Sequence, residues 1–146
     1  KIVEPRVYLK ILNLLKFEYD SKYVSKLLTY EGFRNPAFLH ESKIIHSAMS
    51  RKDVTVVREI IKIYEDNGDL QMLFYALNSA TNYGMEEIAI GIINNNRDLL
   101  IRNYPEYEIR LTDILKIAIQ KEMEDLTLVI LASPAGQDVA AMADNI

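Results

Sequence analysis

The chain has 146 residues, of which 49% are hydrophobic and 26% charged, with a formal net charge of −4. That balance suits one compact domain or a few small stacked units, and it excludes a disordered tail. The absence of cysteine removes disulfides, Cys-ligated zinc and thiol nucleophiles; two histidines leave little for a metal site; and the acidic balance argues against a nucleic-acid partner.

Five glycines and four prolines are few for a turn-rich β fold, so helices are expected. No apolar run is long enough to cross a bilayer. The chain opens on Lys1 without a charged-then-apolar leader, which reads as a processed product or a piece of a longer protein. Val7 to Phe17 is the first apolar helical stretch. A tight turn at Glu18-Tyr19-Asp20 leads to Tyr23, Val24, Leu27 and Leu28, which share one helix face. Ile44 to Met49 is followed by Arg51-Lys52-Asp53 and then by Val56, Val57, Ile60, Ile61 and Tyr64. Asp53 stands where its carboxylate caps the free amides of that helix. Leu70 to Ala80, the turn Asn82-Tyr83-Gly84, and the stripe Ile88, Ala89, Ile92 and Ile93 repeat the plan. Leu111 to Ile119, the turn Lys121-Glu122-Met123, and Leu126, Ile130 and Leu131 repeat it again.

Helix, tight turn and helix thus occur four times. Leu15, Ala48, Ala80 and Ala118 hold equivalent places, spaced 33, 32 and 38 residues apart. The expected fold is therefore an all-α solenoid of about eight helices in four pairs, with units near 7–32, 41–67, 70–96 and 111–132. Residues 133–146 break the apolar pattern and read as a tail or the start of a following segment.

The units resemble ankyrin repeats. Lys43-Ile44-Ile45-His46-Ser47-Ala48 lies over that family's Thr-Pro-Leu-His-x-Ala, and Val56-Val57-Arg58-Glu59-Ile60-Ile61 over its Ile-Val-x-x-Leu-Leu. The third unit keeps Leu77, Ala80, Gly84 and Ile88-Ala89 with Ile92-Ile93. The Thr-Pro pair is absent from every unit, and only Asp66-Asn67-Gly68-Asp69 separates the second unit from the third. Parts of the array are therefore expected without finger loops, and another helix-pair repeat is the alternative. The resemblance implies that the His46 imidazole bonds a neighbouring repeat's backbone.

Carboxylate pairs such as Glu86 with Glu87 and Glu124 with Asp125 stand at helix starts, where the macrodipole accounts for them. The glycines form no phosphate cradle, and no serine stands in a nucleophile-elbow context. No catalytic residue, metal ligand or cofactor is assigned. The expected role is recognition of another protein through a concave face and inter-repeat loops, with neither nucleic acid, membrane nor small-molecule substrate as partner. A non-catalytic regulatory or recruiting portion of a larger enzyme is the alternative.

Three segments carry the expected contacts. The enlarged third interval, read as a loop, holds Arg102, Tyr104, Tyr107 and Arg110; Tyr and Arg combine apolar area with hydrogen-bonding tips. The two tyrosines either bind or cover the groove between repeats. Phe33, Arg34 and Asn35 fall where the family carries a finger tip, with Phe33 either an exposed anchor or an inter-repeat plug. Arg51 and Tyr83, beside Ser47, Ser50 and Asn82, fall on or near the concave side. A cytoplasmic setting is expected, and host-cell cytoplasm if the chain is a pathogen's effector or host-range factor.

Overall fold

The computed structural model describes residues 4–133 and 136–143. Among them it has eleven α-helices, one 3-10 turn and no strand. The helices are α1 (Pro5–Leu15), α2 (Ser21–Leu27), α3 (Pro36–Ser42), α4 (Ile44–Ser50), α5 (Val54–Asp66), α6 (Leu70–Asn82), α7 (Glu86–Asn95), α8 (Arg97–Arg102), α9 (Tyr104–Gln120), α10 (Glu124–Leu131) and α11 (Gly136–Ala143). None is long and apolar enough to cross a membrane among the described residues.

All eight expected helices form, and three more join them. Helix α3 replaces the finger tip: Asn35 accepts the amides of Ala37 and Phe38, and Pro36 supplies a preset φ at the first helical position. Helix α8 and the first turns of α9 replace the loop expected over 101–110, with Pro105 again in a first turn, where its missing N–H costs nothing. Helix α11 occupies most of the expected tail.

The helix starts follow the sequence. The carboxylates of Asp20 and Asp53 accept the amides of Tyr23 and Val56, and Asp69 accepts that of Met72. Helices α7 and α10 lack a capping side chain but carry Glu86-Glu87 and Glu124-Asp125 against the positive end of the dipole.

One turn recurs. The amide of Asp53 bonds the carbonyl of Ala48 at 2.9 Å, Met85 that of Ala80 at 2.8 Å, and Met123 that of Ala118 at 2.8 Å. In each, the residue before the donor is left-handed: Lys52 at φ 56°, Gly84 at 74° and Glu122 at 57°. This is the left-handed helix terminator that satisfies an orphan carbonyl. The same closure joins α5 to α6, where Asp69 bonds the carbonyl of Tyr64 and Gly68 has φ 59°. A tight joint, not a finger, therefore separates these helices.

The chain divides into two compact units, Lys1–Met72 and Leu73–Ile146. In the first, α1 packs on α3 and α4, α2 on α5, and α3 and α4 on α5. Its core holds Leu9, Leu12, Val24, Leu39, Ile44, Ile45, Met49, Val56, Ile60, Ile63 and Tyr64. In the second, α7 packs on α10, α8 on α7 and α9, and both α9 and α10 on α11. Leu77, Ala89, Ile93, Leu111, Leu126, Ile130 and Val139 are its buried centre. Leu131, expected inside, is 41% exposed because it lies off the Leu126–Ile130 face of its helix.

Candidate partner-binding surface

The segment Gly32 to Pro36 is tied into the fold. Tyr8 lies so close to the Gly32 backbone that a Cβ there would collide with its ring. Phe33 is buried and meets that ring edge-on, with centroids 4.9 Å apart and planes at 85°. Arg34 donates to the Leu28 carbonyl at 2.9 Å and pairs with Asp66 at 3.5 Å. Asn35 is committed to the α3 cap. Phe33 is thus a plug, and Phe33, Arg34 and Asn35 all hold internal partners.

Arg51 sits differently. It is exposed at the α4–α5 turn, yet its guanidinium lies 4.5 Å from the Tyr19 ring centroid and donates to the Ser47 carbonyl at 3.0 Å. The ring is fixed in turn: the Tyr19 hydroxyl donates to Asp53 Oδ2 at 2.7 Å. Burial first, and the Asp53 bond second, push the Tyr19 hydroxyl well above its ordinary range. Burial works against the Asp53 charge, but hydrogen bonds from Ser21, Tyr19 and the Val56 amide together hold its carboxyl below the usual range. A second bond, from the Ser25 hydroxyl to Glu59, runs beside it from α2 to α5. Both side-chain bonds span 34 residues.

In the second unit Tyr83 is half-buried at the start of the α6–α7 turn, and partial burial first, then Tyr83, push the hydroxyl pKa of the half-buried Tyr75 upward. The Glu86 carboxylate accepts the amide of Leu126 at 3.1 Å and ties α7 to α10. Arg102 and Arg110 are exposed, Arg102 donating to the Asp98 carbonyl. Tyr104 and Tyr107 open α9, and their side chains lie outside the described residues.

His46 is half-buried, and burial, then Lys43 and His40, lower its imidazole pKa. Among the described residues, no three His, Asp or Glu side chains gather at metal-binding distance.

Two features escape a reading of apolar stripes alone. Tyr19 reads as a turn residue, and nothing in the apolar spacing points to its bond with Asp53. Ile119 and Leu128, 57% and 56% exposed, flank an open groove of about 360 Å³ at the α9–α10 turn, with Glu122, Met123, Glu124 and Thr127. Leu128 lies off the Leu126–Ile130 face by spacing, whereas Ile119, four residues after the buried Leu115, does not announce its exposure. Compared with family models, with curated proteins and with solved structures, the chain finds no match in any of the three.

Proposed function

We propose that the chain is an ankyrin-like array of helix pairs that recognises another protein, and that it works by display rather than catalysis. The recurring turn, and the packing of α1 on α4, α2 on α5 and α7 on α10, support stacked pairs. One observation carries the recognition reading: an exposed guanidinium is held in place by a tyrosine ring that a carboxylate anchors. Ordering Arg51 before encounter removes part of the entropy cost of binding, and Arg is enriched among residues that dominate interfaces. Its planar cation suits a carboxylate or a backbone carbonyl of a partner segment.

The test is affinity against stability. A partner captured by cross-linking through a photoreactive residue at position 50 should bind Arg51→Ala roughly ten-fold more weakly, a loss of about 1.4 kcal/mol. Arg51→Lys should recover only part of it, because an ammonium cannot stack as a plane. Thermal unfolding should barely move. An unchanged dissociation constant for Arg51→Ala would remove Arg51 from the interface.

A further inference from the structure

Asn67-Gly68 is the one Asn-Gly pair in the chain. It stands in the α5–α6 joint, within the first unit, where Asn67 ends α5 and Gly68 takes the left-handed step. An asparagine before glycine is chemically labile, because no Cβ shields the following amide nitrogen, which attacks the side-chain carbonyl carbon. Both residues are exposed, and beyond its chain neighbours no atom lies within 4 Å of the point a Gly68 Cβ would occupy, so water reaches the pair. Asn78-Ser79, the pairing with the next smallest follower, lies inside α6.

The folded joint withholds every step of that attack. The Gly68 amide must lose its proton, but it donates that proton to the Glu65 carbonyl at 3.0 Å. The Asn67 carboxamide must swing over the Gly68 nitrogen, but its Nδ2 donates to the Ile63 carbonyl at 2.7 Å. The Asn67 backbone must turn well away from its ψ of −3° to close a five-membered ring, which the Asp69 bond to the Tyr64 carbonyl at 3.1 Å opposes. We propose that Asn67 is a site of spontaneous isoaspartate formation that this joint keeps closed, so that modification counts the time the joint spends open. Once it opens, the Gly68 nitrogen gives its proton to solvent base and bonds Asn67 Cγ. The Cγ–Nδ2 bond breaks, and Nδ2 takes a proton from water and leaves as ammonia. Water then opens the succinimide ring: cleavage beside the backbone carbonyl leaves Gly68 attached through Cγ, as isoaspartate, and cleavage beside Cγ leaves aspartate. Nothing is oxidised or reduced. Either product sets a new carboxylate between Asp66 and Asp69 at the negative end of the α5 dipole, and lacks the donor to Ile63. Arg34 and Lys62, the cations at this end, already pair with Asp66. The inference does not depend on Arg51 or on any foreign partner.

The test is peptide mass mapping of the full chain after incubation at mildly alkaline pH, with enzymatic methyl labelling of isoaspartate. In guanidinium chloride Asn67 should convert faster than every other asparagine. In buffer the folded chain should convert it at least about ten-fold more slowly, which corresponds to an opening cost of about 1.4 kcal/mol or more. Hydrogen exchange at the Gly68 amide should be slowed by at least about ten-fold as well, because the same proton must leave. Asn67→Gln, whose longer side chain would need a six-membered ring, should lose the label from this peptide in denaturant. Folded protein that converts Asn67 at the denatured rate overturns the proposal, and so does a Gly68 amide that exchanges freely in the folded chain. A denatured chain in which another asparagine leads, or a label that persists in Asn67→Gln protein, overturns the assignment to Asn67.

Discussion

The two units build similar helix pairs but fasten them differently. In the first, polar side chains bridge from one pair to the next: Tyr19 to Asp53, Ser25 to Glu59, Arg34 to Asp66. In the second, α7 meets α10 through Ala89, Ile93, Leu126 and Ile130, and the Glu86 carboxylate reaches a backbone amide. Apolar stacking is non-directional and tolerates drift in angle, whereas a hydroxyl–carboxylate bond fixes register. Buried area stabilises both units, and the first adds side-chain bonds that fix alignment while contributing little net stability.

The largest effects should come from the buried centres and be alike in both units. Ile60→Ala and Leu126→Ala each remove a fully buried side chain and should cost about 2–5 kcal/mol, read from denaturant midpoints. A loss under about 1 kcal/mol in either would break the assignment of that side chain to a packed core.

The turns come next. Gly84→Ala puts a Cβ on a left-handed residue and should cost about 1–2 kcal/mol, although the space around it is open. Glu122→Gly relieves the same conformation and should be neutral or stabilising by up to about 1 kcal/mol. Opposite signs at equivalent positions confirm one shared joint; equal signs would show that the two turns differ.

Tyr19→Phe sharpens the contrast in fastening. It should cost about 0.5–1 kcal/mol near neutrality, since the pair is only half-buried. The Asp53 carboxyl is held low, so its contribution is present above the ordinary carboxylate range and lost as pH falls through the lowered folded value. The Tyr19 hydroxyl is held high, so its contribution is complete below about pH 10 and lost above it. The gap between variant and wild-type midpoints should therefore narrow at both ends of the pH scale. A gap that stays constant from acid to alkali would sink the role of the Tyr19–Asp53 bond. Glu86→Gln, which retains an acceptor for the Leu126 amide, should cost the least, under about 1 kcal/mol, read from the thermal midpoint.

Periodicity located eight helices because burial on one face writes itself into residue spacing, as at Val56, Val57, Ile60, Ile61 and Tyr64. Asp20 and Asp53 announced their caps for the same local reason. Asn35-Pro36 is a helix-start signal of the same kind, standing where the family resemblance implies a finger tip. The segment 101–110 reads as a loop through its tyrosines and proline, although Pro105 is a helix opener where it stands. The surface was harder. Whether Phe33 is plug or anchor depends on Tyr8, 25 residues earlier, and on a glycine that lets the ring approach. Contacts of that kind are settled by packing in three dimensions and leave no spacing to read.

The recurring turn has a consequence for how such a chain changes over generations. Its closing bond uses two backbone atoms, and its left-handed step is taken by Lys52, Gly68, Gly84 and Glu122 in turn. Nearly every side chain in the joint is therefore free to be replaced while the joint persists. A joint of this kind can therefore keep its main-chain path while the residues around it change.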